Sequence, residues 1–290
     1  MKLLVKFNLV FLVVFALGLG VSGYIARDLL QNNAQQEVLD SARLMMEKAV
    51  AVRDYTAKQV APLLQTQMRY TFLPQSVPSF AAAEVLKGLT EKYPEFTYKP
   101  AMLNPTNPRD RAADWEADLV AQFKQQPTVK ELIGQRDTPA GRTLYIARPV
   151  VITNPACLQC HSTVSAAPIT MVEKYGPANG FGWVMNEPLG VQVVSVPLSL
   201  PMQRAEKAFH VVLALLAGVF LLIGLALNLM LWKLVIQPVT QLSALADRVS
   251  LGEMEAPEFK ARSQDEIGVL SDSFSRMRKS LAHAMKLLDA

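Results

Sequence analysis

The sequence predicts an α+β outer domain tied to a membrane helix at each end, followed by a helical coiled coil. Three observations predict it. Two apolar runs, residues 7–24 and 211–232, carry no charge; β-branched segments alternate with helical periodicity between them; and heptad spacing follows the second run. The domain boundaries that follow are a tail over 1–6, a first span over 7–24, an outer domain over 25–208, a second span over 209–232 and a cytoplasmic part over 233–290.

FNLVFLVVFALGLGVSGY, from Phe7 to Tyr24, is long enough to approach a full bilayer crossing. Lys2 and Lys6 before it, with Val21, Ser22 and Gly23 at its end, also suit a signal peptide. The uncleaved helix is preferred, because polar sequence beyond it keeps helical spacing without a break until Pro62. Basic residues beside a span stay on the cytoplasmic side, so residues 27–208 face outward, into the periplasm of a bacterium, and the inner membrane holds both spans. Formal charge is +4, yet the outer domain has 19 basic against 17 acidic residues and the segment after the second span has eight of each. No basic block with interleaved aromatics stands out, which argues against nucleic acid as a partner.

Leu29, Leu30, Val38, Leu39, Ala42, Met45, Met46, Ala49 and Val52 recur at three- and four-residue steps, predicting a long amphipathic helix continuous with the first span. It should end by Pro62 or by the Pro74–Pro78 stretch. Two Asn-Pro turns in NPTNPRDRAADWEAD, residues 104–118, precede a helix bearing Trp115. TLYIARPVVI, residues 143–152, reads as a strand, and LGVQVVSVPL, residues 189–198, as a second strand buried on both faces. A Gly-rich turn, NGFGW at 179–183, separates them, and a short amphipathic piece leads into the second span.

Beyond Lys233, Pro238 is followed by Leu242, Leu245 and Val249; after a connector with Gly252 and Pro257, Ile267, Leu270, Phe274, Met277, Leu281, Ala284 and Leu288 keep a 3,4 step. Periodicity alone would also fit any amphipathic hairpin. The order of a span, a proline, a heptad helix, a connector and a second heptad helix opened by Asp265, Glu266, Ile267 and Gly268 resembles the HAMP linker of bacterial transmembrane receptors. The resemblance implies a parallel four-helix bundle made by two chains, hence a homodimer.

Both cysteines lie in NPACLQCHST, residues 154–163. A disulfide between Cys157 and Cys160 would close a tiny loop and so stabilise less than a bridge across a longer one. Redox enzymes also use Cys-x-x-Cys, but that motif does not call for His161. Structural zinc commonly takes four ligands, and the outer domain away from the membrane edge offers Cys157, Cys160 and His161; His210 borders the second span and His283 follows it. Covalent haem uses all three residues: two thiolates bond the vinyl groups as thioethers and the adjacent imidazole ligates iron.

LNPTNPRDRAADWEAD, RPVVITNPACLQCHS, GFGW and LGVQVVSVPLS, in that order, resemble the bacterial haem c sensor family, whose periplasmic domain is PAS-like and commonly precedes a HAMP linker. The resemblance implies attachment at Cys157 and Cys160 and proximal ligation by His161. Some members supply a second axial ligand as a cysteine on the N-terminal helix, which this chain lacks. Met45, Met46, Met68 and Met102 are then the distal candidates, beside a vacant or water-occupied position. Arg109, Arg111, Arg142 and Arg148 are candidates for haem propionates, against a plain role as surface charge.

Three activities fit this arrangement: a sensor whose redox or ligand change moves the attached helices, a membrane-anchored electron carrier, and a small-molecule receptor without functional haem. The HAMP-like segment favours the sensor, since a carrier has no use for a two-state coiled coil. No paired acid and base, phosphate loop or nucleophile with a placed histidine points to an enzyme. With Ala290 soon after the coiled coil, output is expected to pass to a separate cytoplasmic protein, with a diatomic gas or a redox partner as the input.

Overall fold

The computed structural model describes residues 3–139, 141–253 and 264–288, apart from the side chains of Leu3, Arg69, Lys286 and Leu288. Lys2 of the basic tail and Pro257 of the connector lie outside the described residues. The chain divides into two compact units, residues 28–208 and residues 1–27 with 209–290.

α1 runs from Leu3 to Tyr55 as one helix, in keeping with the absence of proline from this stretch. A π turn, Thr56–Val60, and one last turn, α2 (Ala61–Leu63), carry it past Pro62. Pro62 has no amide hydrogen and its ring crowds the carbonyl four residues back, so the wider turn relieves both problems. In the 28–208 unit, α3 (Pro78–Lys92) and β1 (Thr97–Met102) follow, then α4 (Asp114–Gln125), which carries Trp115 as expected. β2 (Leu132–Thr138), β3 (Gly141–Val151), the short α5 (Leu158–His161), α6 (Ile169–Tyr175) and β4 (Pro188–Pro197) complete it.

The strands form one antiparallel sheet in the order β1-β4-β3-β2. Sequence patterning anticipated β3 and β4 and missed β1 and β2, the two edges. The sheet is covered on both faces. Val38, Ala42, Met45, Met46 and Ala49 of α1, with Ala82 and Leu86 of α3, pack on Leu144, Ile146, Val194 and Val196. On the other face Leu119, Val120 and Phe123 of α4 pack on Ala101, Ala147, Val191 and Val193. Alternate residues of β4 therefore enter different cores, which is why the strand reads as a nearly unbroken apolar run.

Gly190 is the small residue this central strand needs. A Cβ there would lie 2.4 Å from both the Ala101 carbonyl oxygen and Met102 Sδ on β1. On α4, buried Glu116 accepts from the Ala113 amide at 2.7 Å and meets Lys99 Nζ at 2.6 Å, tying the helix start to β1. Arg148 of β3 bonds Glu47 of α1 at 2.7 Å and Glu131 at 2.9 Å, so charge as well as apolar contact holds α1 to the sheet.

α7 (Ser199–Leu231) begins within residues 28–208 and runs on into the other unit, where it passes through a π turn, Trp232–Ile236, into α8 (Gln237–Ser250), which again accommodates a proline, Pro238. The expected short amphipathic piece before the second span is thus continuous with it. Among the described residues, two helical stretches are long and apolar enough to cross a membrane. They meet through Phe15 stacked on Phe220 at 5.2 Å and through an Asn228 side chain that donates to Asn8 Oδ1 at 2.7 Å. α9 (Glu266–Leu288) is capped by Asp265, whose Oδ1 accepts from the amides of Ile267 and Gly268 at 3.0 and 3.1 Å. This gives the Asp-Glu-Ile-Gly opening a physical role. Leu242 and Val249 of α8 are buried, whereas Leu270, Met277 and Leu281 of α9 are exposed.

Candidate functional site

Asn154 ends the segment after β3 and turns the chain: its Oδ1 accepts from the Ala156 amide at 3.0 Å. A 3-10 turn, Pro155–Cys157, then leads into α5, so Cys157, Cys160 and His161 occupy two consecutive short helical turns. Both cysteines are half-buried free thiols. Burial pushes the Cys157 thiol up, and the positive charge of Arg53 pulls it partly back; burial also pushes Cys160 up, with the Cys157 charge adding to it. Among the described residues, no group of three His, Cys, Asp or Glu side chains is placed to hold a bare metal ion.

His161 is fixed from two sides. Its Nδ1 lies 2.8 Å from the Gly180 carbonyl oxygen. A carbonyl only accepts, so Nδ1 carries the hydrogen and Nε2 keeps the lone pair. Burial holds the imidazole below its ordinary pKa, in the neutral form, with the Gly180 bond opposing that shift. The ring stacks on Trp183, with centroids 3.7 Å apart and planes 9° from parallel. Thr106 Oγ1 is a further neighbour of Nδ1 at 3.4 Å.

The Gly-rich loop is held by the segment after β1. Asn104 Oδ1 accepts from the Gly180 amide at 3.0 Å, its Nδ2 donates to the Phe181 carbonyl at 3.0 Å, and its own carbonyl accepts from Trp183 Nε1 at 3.2 Å. The loop closes on α5 through amides of Gly182 and Trp183, which donate to the carbonyls of Ser162 and His161 at 2.9 and 3.1 Å. Three stretches far apart in sequence, around Asn104, His161 and Gly180–Trp183, thus form one constellation. Gly180 has φ +86°, and a Cβ on it would lie 2.8 Å from Thr106 Cα.

Of the four methionines considered as iron ligands, Met68 alone shares a cluster with the cysteine stretch: Met68 and Cys160 both pack against the cluster of Phe72, Ala167 and Met171. Its sulfur already accepts from the Leu73 amide at 3.1 Å and the Ser76 hydroxyl at 3.3 Å. Met45 and Met46 are core residues between α1 and the sheet, and Met102 is buried beside Gly190. The arginines singled out for propionates have other contacts. Arg109 pairs with Glu84 and Asp110, Arg111 with Asn179, and Arg148 with Glu47 and Glu131, while Arg142 sits opposite Asp137 beside the β2–β3 turn. A cation whose charge reaches the Cys157 thiol is Arg53, which sequence reading passed over. Its signal was its register, four residues after Ala49 on the buried stripe of α1.

These features define a domain that presents a Cys-x-x-Cys-His segment on a helix–sheet scaffold, ahead of a helical hairpin. The chain belongs to the Tll0287-like family, which matches residues 31–197, and a HAMP domain matches residues 230–283. It is 36% identical over 79 residues to a protein of Acetivibrio thermocellus named "Putative sensory transducer protein". That alignment covers 27% of this chain and 14% of the relative, so the chain spans a small part of that protein's length. Among solved structures, the cyanobacterial heme-protein Tll0287 aligns with 56% of this chain and 95% of its own at 16% identity, with a TM-score of 0.44.

Proposed function

We propose that this protein is a membrane-bound haem c sensor: residues 25–208 bind one haem covalently through Cys157 and Cys160, with His161 as proximal ligand, and signal through the HAMP domain. The observation that carries the reading is the His161 lock. Nδ1–H is committed to the Gly180 carbonyl at 2.8 Å, which leaves Nε2 free to ligate, the arrangement that orients metal-binding histidines. The remaining residues fit the same group. Two unpaired, half-buried thiols precede the histidine at the spacing haem attachment requires, and a buried guanidinium nitrogen of Arg53 nearby lacks a hydrogen-bond partner. Tll0287, from which the family takes its name, is a heme-protein, which supports haem here.

Haem supplies a one-electron couple and an iron that can take a further ligand. The chain's own residues bind it, orient the imidazole through Gly180 and Trp183, and keep that imidazole neutral by burial. Met68 is the methionine whose surroundings suit a distal role best. The antiparallel sheet with helices on both faces supports a PAS-like description of the domain.

The two apolar helices and the HAMP domain support a two-pass inner-membrane protein whose outer domain is periplasmic. Exposed Leu270, Met277 and Leu281 on α9 support a HAMP homodimer, with output to a cytoplasmic signalling protein and a gas or redox partner as input. An electron carrier would leave the HAMP segment without a task. Pyridine haemochrome and reduced-minus-oxidised spectra of membrane-extracted protein test the haem. Cysteines introduced at Leu245 and Phe274 test the signal: crosslinking that differs between oxidised and reduced protein is expected, and crosslinking indifferent to redox state and gas ligands would refute it.

A further inference from the structure

We propose that Arg53 is an anion-binding residue of the haem pocket, its guanidinium holding a carboxylate or a small anion against the haem; this rests on the haem reading above. Ala42, Met45, Met46 and Ala49 form the buried stripe of α1, and Arg53 continues it one turn further on. A cation therefore sits where the pattern calls for an apolar side chain. Its Nη1 atom is buried and has no hydrogen-bond partner, the single such side-chain nitrogen or oxygen among the described residues. Leaving a buried donor unmet is costly, the more so when it is charged, so native proteins fill such positions.

Among the described residues, no carboxylate takes that role. Glu47 meets Arg148, Asp54 meets Lys58, and Asp110 meets Arg109. The guanidinium lies within hydrogen-bonding reach of the Tyr98 hydroxyl, which itself donates to Gln192 Oε1 at 3.0 Å, while Nη1 has no partner. Cys157 is near enough for the Arg53 charge to act on its thiol. A planar fork of N–H donors with one buried branch idle suits an oxyanion. Arg53 also belongs to the same unbroken helix as the first apolar segment, so an anion gained or lost there acts directly on α1.

Two sources share this chemistry: a propionate of the haem itself, or a free anion at the iron. Full-length protein from a haem-maturing host would be compared with Arg53→Met and Arg53→Lys by spectroelectrochemistry and by azide titration. Removing a positive charge disfavours electron uptake, so Arg53→Met is expected to lower the midpoint potential, with Arg53→Lys closer to wild type. A lowered potential with unchanged azide affinity identifies the propionate. A loss of azide affinity of about tenfold or more, partly restored in Arg53→Lys, identifies the free anion. Haem-loaded Arg53→Met with wild-type potential and wild-type azide affinity overturns the proposal. Wild-type protein without haem overturns the preceding reading instead. Arg53→Gln repeats the comparison should the methionine variant not fold.

Discussion

Replacing Gly180 by alanine tests whether the loop that orients His161 depends on a residue without a side chain. At φ +86° an alanine pays about 1–2 kcal/mol of backbone strain. Its Cβ would also lie 2.1 Å from Thr106 Oγ1 and 2.8 Å from Thr106 Cα. The hydroxyl can rotate away; the backbone atom cannot, so the loop must lift. Lifting breaks the hydrogen bond that the Gly180 amide donates to Asn104 Oδ1 and the one its carbonyl accepts from His161 Nδ1, each worth about 0.5–1.5 kcal/mol net. The total is about 2–5 kcal/mol of local stability, or at least about a 30-fold rise in opening. Hydrogen exchange with mass spectrometry on the full chain in detergent reads this at the amides of Gly180, Gly182 and Trp183. Gly176→Ala is the control: it has φ +82° but nothing within 4 Å, so it pays strain without a clash. Exchange at 180–183 no faster in Gly180→Ala than in Gly176→Ala would refute the reasoning.

Gly190→Ala forces a Cβ against Ala101 and Met102 in the central strand, and is expected to destabilise the chain by about 1–3 kcal/mol in urea unfolding. Met46→Ala removes a fully buried side chain and should cost about 2–5 kcal/mol while leaving the haem spectrum unchanged; an altered spectrum would restore Met46 as an iron ligand. Glu116→Ala removes the acceptor of the Ala113 amide and strands Lys99, an expected loss of about 2–4 kcal/mol by the same unfolding measurement, with Glu116→Gln losing less because it still caps α4.

The elements legible in the sequence are those whose surroundings are uniform. The two apolar runs needed only composition, and β3 and β4 were visible because burial on both faces selects Val, Ile and Leu. β1 and β2 were hidden for the opposite reason. As edges they tolerate Pro100 in TYKPAM and the alternating polar residues of LIGQRDT, which read as loop. At the site, Cys157, Cys160 and His161 were legible because their chemistry is compressed into five residues. The groups that orient them were not: Asn104 and Gly180 are brought together across 76 residues. Arg53 was legible in principle, as a charge on an apolar stripe, but only burial of Nη1 distinguishes it from a snorkelling side chain.

The central claim is a covalent porphyrin on Cys157 and Cys160. Intact-mass and peptide analysis of full-length protein from a haem-maturing host, beside Cys157→Ser/Cys160→Ser, tests it most directly. The account predicts one haem retained through denaturation, mapping to the peptide that contains residues 154–163 and missing from the double variant. Free thiols or a simple disulfide at both positions in the wild-type protein would contradict it.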